Sequence, residues 1–128
     1  MVGVIAHGID LVEVARVRRM LADHGERFLE KVFTAGEREY AGRSVAREAE
    51  HLAVRFAAKE AVLKALGTGW SGGIAWTDVE VVRAASGEPG VVLRGEAAEI
   101  ARRKGVNRWL ISLTHTETTA MASVIGLG

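Results

Sequence analysis

The chain reads as an α+β fold in which a mainly antiparallel sheet packs against one long central helix. Three observations predict this. Residues Val45 to Leu66 form a helical stretch that is apolar on nearly every side, as a helix buried all round must be. The N-terminal run is apolar and β-branched, as a strand would be. The second half of the chain carries short alternating segments separated by glycine, proline and serine turns, so hairpins and helices segregate rather than alternate.

Taken in order, Val2 to Asp10 is apolar, with Gly3 and Gly8 inside it, and reads as a buried strand ending on Asp10. Leu11 to Ala22 has Leu11, Val14, Ala15, Arg18, Leu21 and Ala22 at helical spacing, with Gly25 as a stop. Glu26 to Val32 fits a short helix. Thr34-Ala35-Gly36-Glu37 is a capping box, in which the threonine oxygen and the glutamate carboxylate each satisfy the other residue's backbone N–H, and it predicts a helix from Ala35 to Arg43. The long helix from Val45 to Leu66 would run roughly 30 Å and end at Gly67, its natural C-terminal glycine. Thr68 to Gly73 is a glycine-rich loop containing Trp70. Trp76 to Ala84 alternates as a strand, Ser86 to Gly90 turns, and Val91 to Arg94 returns. Gly95 to Lys104 is helical. Arg108 to Thr114 and Thr118 to Ile125 are strands joined at His115-Thr116-Glu117.

A chain of 128 residues with 48% hydrophobic content has a single-domain length, so residues 1–128 are expected to fold as one domain. The absence of cysteine removes disulfides, zinc–thiolate sites and thiol nucleophiles, and it fits a reducing compartment. A net charge of +1 argues against broad electrostatic binding to nucleic acid or to a membrane surface. No apolar run approaches the ~20 residues of a membrane span, and the N-terminal stretch lacks the basic region of a signal peptide. A cytoplasmic location is expected.

The residues that suggest chemistry lie mostly on the long helix. At 100° per residue, Leu52, Phe56, Leu63 and Leu66 form one apolar stripe, and Lys59 falls inside it. Glu60 lies at the edge of that stripe, with Lys64 one turn on. A charge beside a buried face costs several kcal/mol unless something pairs with it. A carboxylate flanked by lysines, beside Gly67-Thr68-Gly69, suggests a metal ion and phosphates. A bland alternative stands beside it, an ordinary i,i+4 pair of Glu60 with Lys64 and a Lys59 that snorkels out. Asp10, at a strand end, is a second carboxylate on a rigid element, and it would equally serve as a helix N-cap. Gly67-Thr68-Gly69 lacks the Walker A order, so phosphate approach and simple C-capping both remain open. His115, between two strands, reads equally as a solvent-exposed hairpin residue. Arg16, Arg19 and Met20 form a basic face on the first helix, either plain solvated surface or a dock for an acidic partner.

Together these pieces resemble the bacterial holo-[acyl-carrier-protein] synthases, the stand-alone 4′-phosphopantetheinyl transferases. The resemblance rests on Gly8-Ile9-Asp10 with Glu13 and Arg16, on Phe33-Thr34 with Glu37, and on RFAAKEA from Arg55 to Ala61 with KALGTG from Lys64 to Gly69. It also rests on DVEV from Asp78 to Val81, on Gly87-Glu88-Pro89, and on SLTH from Ser112 to His115. These segments fall in family order over nearly the whole chain.

The resemblance implies the 4′-phosphopantetheinyl transferase fold. It implies Mg²⁺-dependent transfer of phosphopantetheine from coenzyme A to a serine of an acyl carrier protein, with release of adenosine 3′,5′-bisphosphate and a place in fatty acid biosynthesis. Mn²⁺ is an acceptable substitute metal. By position, Asp10 and Glu60 match the metal ligands and Lys64 the lysine that contacts the reacting phosphate. Arg55, Lys59, Gly67, Gly69 and His115 are expected around coenzyme A. Arg16 and Met20 fall on the helix that docks the carrier protein. The family is typically a homotrimer with sites shared between neighbouring subunits. The alternative is a non-enzymatic nucleotide- or carrier-binding module on the same fold. Two departures stand out: Thr116 follows His115 where family members often carry serine, and Trp70 with Ser71-Gly72-Gly73 gives this chain a loop of its own.

Overall fold

The computed structural model describes residues 3–128. The strand expected from Val2 begins, among the described residues, at Val4, and Val2 itself lies outside them. The first strand, β1 (Val4–Glu13), is followed by α1 (Val14–His24), α2 (Glu26–Val32) and α3 (Ala35–Gly42). A single 3₁₀ turn (Val45–Arg47) leads into the long α4 (Glu48–Leu66). Beyond it, a second 3₁₀ turn (Trp76–Asp78) precedes β2 (Val79–Arg83) and β3 (Pro89–Leu93). Then come α5 (Gly95–Arg103), β4 (Arg108–His115) and β5 (Thr119–Leu127). The strands form two antiparallel sheets, a three-stranded one in the order β1-β5-β4 and a β2-β3 hairpin.

The α+β class and the antiparallel pairing are as the sequence predicts. Several boundaries differ: α4 begins at Glu48 rather than Val45, Trp76–Asp78 is a 3₁₀ turn ahead of β2 rather than part of the strand, and the first helix starts later than expected. Leu11, Val12 and Glu13 were expected in the first helix, but they continue β1, where they pair with Met121, Ala120 and Thr119 of β5. Helical and strand periods both fit Leu11 to Val14, and the partner strand decides between them. Helix α1 therefore starts at Val14, with Glu13 as an N-cap that makes no side-chain cap bond. Asp10 sits within a paired strand opposite Ala122, so its reading as a helix N-cap does not hold.

Helix α4 is the axis of the molecule. Thirteen of its residues are buried, from Glu50 to Leu66. One side lies on the three-stranded sheet, where Val12, Ala120, Ala122 and Val124 are buried beneath it. Gly8 sets the closeness of that contact, because a Cβ there would stand 2.0 Å from the carbonyl oxygen of Ala61. The helix ends where Gly67 adopts φ 75° and its N–H caps the carbonyls of Leu63 and Lys64, a left-handed C-cap. The other side of α4 meets α1, α3 and β2.

The junction of α3, α4 and β2 is held by charge. The capping box forms as read, with Thr34 N–H donating to Glu37 Oε1 at 2.9 Å and Glu37 N–H to Thr34 Oγ1 at 3.2 Å. Glu37 is itself buried. Its Oε2 accepts from Val81 N–H at 2.8 Å, and its Oε1 lies 2.7 Å from Lys59 Nζ, with both side chains fully excluded from solvent.

The sheet has one covered face. Ile9 and Leu11 on β1 and Leu110 on β4 are exposed large apolar residues. By the strand registers, they share a face with the half-buried Met121 and Ile125 of β5, opposite the face that α4 covers.

Candidate functional site

The expected site residues resolve into two clusters and one groove. The first cluster forms where the C-terminal half of α4 crosses β1. Lys64 Nζ donates to Asp10 Oδ1 at 2.8 Å and to the carbonyl of Ile9 at 3.2 Å. The Asp10 carboxylate raises the pKa of Lys64 through that hydrogen bond and through its charge, and Glu60 adds to the effect more weakly. The Lys64 side chain remains 57% exposed, so its ammonium can reach a bound phosphate. Glu60 is half-buried, and its Oε1 accepts from the indole N–H of Trp70 at 3.3 Å. Gly67 and Gly69 are exposed in the loop that follows.

Asp10 and Glu60 are two hard oxygen donors, Asp10 bonded to the Lys64 ammonium and Glu60 one turn before Lys64 on α4. No group of three or more histidine, aspartate or glutamate side chains converges among the described residues. The donor set suits Mg²⁺, which takes one or two carboxylates and completes its shell with water and substrate phosphates.

The second cluster gathers around Tyr40 at the other end of α4. Three guanidinium groups lie against its ring, Arg55 at 4.3 Å, Arg83 at 5.3 Å and Arg43 at 5.4 Å. Arg55 is buried and donates from Nη1 to the His51 carbonyl at 3.1 Å. Its Nε is buried without a partner among the described residues. Burial, and then the charge of Arg83, lower the pKa of Arg55. His51 packs edge-on between Tyr40 and His115, and its pKa is lowered by burial and by the charges of Arg55 and His115. His115 Nδ1 lies 3.0 Å from Glu50 Oε1. An ionised carboxylate only accepts, so Nδ1 carries the hydrogen and Nε2 is left for a ligand. Tyr40, Arg43, Arg55 and Arg83 line a concavity together with Glu39, which pairs with Arg43 at 3.0 Å, and Glu80, so Arg55 and Arg83 are the cations of this cluster left to meet an anion.

The groove lies between α1, α2 and α4. Arg16, Met20, Phe28, Phe56 and Trp76 line it, with His24, Arg27 and Lys31 adding positive charge at its rim. The Arg16 guanidinium sits 5.3 Å over the Phe56 ring. Arg16 and Met20 therefore share one face, as their spacing predicts.

Lys59 requires a correction. Expected around coenzyme A, it is fully buried in the core. Its ammonium pairs with Glu37 and donates to the carbonyls of Val79 and, at 3.2 Å, Trp76. Burial lowers its pKa against the opposing pull of Glu37. The charge inside the apolar stripe is answered by a carboxylate of α3 rather than by a ligand. Sequence reasoning also passed over Tyr40, Arg43 and Arg83, which converge from α3, its C-cap and β2. Their signal was weak, since each lies alone in its segment.

Asp10 and Lys64 do not share a cluster with Arg55 and His115. Glu50, the partner of His115, and Lys64 are fourteen positions apart on α4, roughly 21 Å at 1.5 Å per residue.

Comparison with known proteins converges on one family. The model of the 4′-phosphopantetheinyl transferase superfamily matches residues 6–119. A holo-[acyl-carrier-protein] synthase of Gloeobacter violaceus is 46% identical over 121 residues, covering 94% of this chain and 91% of that protein. The crystal structure of the Neisseria meningitidis holo-[acyl-carrier-protein] synthase superposes with a TM-score of 0.85 at 29% identity, covering 97% of this chain and 98% of that one. A Bacillus anthracis holo-[acyl-carrier-protein] synthase, solved in complex with coenzyme A (3′,5′-ADP), superposes with a TM-score of 0.79 at 31% identity, covering 98% and 97% of the two chains. The chain belongs to the 4′-phosphopantetheinyl transferase superfamily, among its holo-[acyl-carrier-protein] synthases.

Proposed function

We propose that this chain catalyses Mg²⁺-dependent transfer of 4′-phosphopantetheine from coenzyme A to a serine of an acyl carrier protein, releasing adenosine 3′,5′-bisphosphate. The carrying observation is the exposed Lys64 ammonium bonded to Asp10, with Glu60 one turn before it on α4, in a chain of this family. Asp10 and Glu60 would hold Mg²⁺, which, when bound, offsets the charge of the coenzyme A pyrophosphate. Lys64 would then bind phosphate oxygens and stabilise the charge that develops as the phosphoanhydride bond breaks. The carrier serine oxygen forms its bond to the β-phosphorus, and adenosine 3′,5′-bisphosphate leaves. The serine proton would go to Glu60 or to a water at the site.

Arg55 and His115, with Arg43 and Arg83, would receive the phosphate-bearing adenosine end of coenzyme A. Lys59 takes no part in this reading. The separation of the two clusters along α4 supports a site completed by a neighbouring copy. So does the uncovered apolar face of Ile9, Leu11 and Leu110, since such a patch on a soluble chain marks an interface. A homotrimer with shared sites accounts for both. The groove of Arg16 and Met20 would dock the acidic carrier, its rim charges steering encounter.

A cytoplasmic role in fatty acid biosynthesis suits a cysteine-free chain of this activity. Among the described residues, no helix is long and apolar enough to cross a membrane.

The test quantifies adenosine 3′,5′-bisphosphate from coenzyme A and Mg²⁺ with and without apo carrier protein. Transfer predicts release only when carrier is present, in equal amount to modified carrier. Release without carrier would mark a hydrolase, and no release in either arm would mark a binding module.

A further inference from the structure

We propose that Trp70 is a positioning residue for the Glu60 carboxylate, an inference that rests on Asp10 and Glu60 as metal ligands. Trp70 lies in the loop beyond Gly67. Its indole N–H donates to Glu60 Oε1 at 3.3 Å. Indole donates and never accepts, so the bond tells one carboxylate oxygen from the other and leaves the second oxygen for a cation.

The donor is itself held in place. The rings of Trp70 and Trp76 have centroids 3.6 Å apart at a 32° tilt, and Trp76 stacks on Phe56 at 4.9 Å and 29°. Phe56 is buried on α4 one turn before Glu60. The stack thus starts on α4, passes through the 3₁₀ turn of Trp76, enters the loop at Trp70 and returns to α4 at Glu60. This closed circuit fixes a half-buried glutamate whose side chain would otherwise sample several rotamers. Phe56 and Trp76 also form a wall of the groove that Arg16 and Met20 line. The residue that orients Glu60 therefore rests on the surface assigned to the carrier.

A purely structural Trp70 would need only its ring, whereas positioning needs the N–H. Trp70→Phe separates the two. The measurement is Mn²⁺ titrated into the chain with saturating coenzyme A, free Mn²⁺ read by EPR and coenzyme A alone subtracted. Trp70→Phe should weaken Mn²⁺ binding about tenfold, as loss of an outer-shell partner does, with Tm and the carrier KM close to wild type. Trp70→His keeps a ring N–H and should recover part of the loss, which also covers a Phe variant that folds poorly. Wild-type Mn²⁺ affinity in Trp70→Phe would overturn the inference. So would a raised carrier KM at unchanged Mn²⁺ affinity, which assigns Trp70 to the groove alone. A wild-type chain that holds no Mn²⁺ beyond coenzyme A alone would overturn the metal reading itself, before any substitution is compared.

Discussion

Lys59→Met should destabilise this protein rather than empty its substrate site. Methionine nearly matches lysine in length and shape, so packing is largely kept and the charge is what is lost. The ammonium sits 2.7 Å from Glu37, with both side chains fully buried, and it also donates to the carbonyls of Trp76 and Val79. In its absence Glu37 keeps the N–H groups of Thr34 and Val81 but has lost its countercharge. Breaking one partner out of a buried pair costs about 3–5 kcal/mol. For a chain of 128 residues, that is a fall in Tm of roughly 10–20 °C. Thermal unfolding followed by circular dichroism measures it, and calorimetry at a temperature where the variant is folded should give near-wild-type coenzyme A affinity. Adding Glu37→Gln to Lys59→Met should restore part of the stability, because the stranded carboxylate is removed. An unchanged Tm together with lost coenzyme A binding would refute this account and return Lys59 to the ligand.

Three further expectations separate docking, chemistry and pH. Arg16→Glu should raise the carrier KM by an amount equivalent to roughly 1–3 kcal/mol, less at high salt, with coenzyme A binding unchanged, whereas Lys64→Ala should lower kcat and spare carrier binding; steady-state kinetics over a salt series distinguishes them. His51 has a pKa held below the ordinary 6.5 in the fold, so the unfolded chain takes up its proton first, and stability is present above about pH 6.5 and lost as pH falls through the folded value. His51→Gln should therefore shrink the drop in urea midpoint between pH 7.5 and 5.5, and a drop equal to wild type would contradict this.

Sequence reasoning reached as far as local physics does. The capping box of Thr34 and Glu37 and the glycine cap at Gly67 are written within four residues and stand as read. The pairing of Arg16 with Met20 follows from helix geometry alone. What escaped was tertiary. The strand continuing to Glu13 is decided by β5, more than a hundred residues later in the chain. The partner of Lys59 is on α3, so a buried charge on α4 was legible while its explanation was not. Tyr40, Arg43 and Arg83 meet only after α3 and β2 fold against α4. The family resemblance implied metal and phosphate roles for Asp10, Glu60 and Lys64 and coenzyme A contacts for Arg55 and His115, and the structure sets Asp10 with Lys64 near the C-terminal end of the long helix and Arg55 in its N-terminal half.

The most direct measurement is the intact mass of an apo acyl carrier protein incubated with coenzyme A, Mg²⁺ and this chain. Phosphopantetheine transfer predicts a gain of about 340 Da on one serine, abolished by EDTA and by Asp10→Ala, with the variant still folded. A carrier of unchanged mass beside the wild-type chain in metal-replete buffer, or an equal gain with Asp10→Ala, would contradict the account.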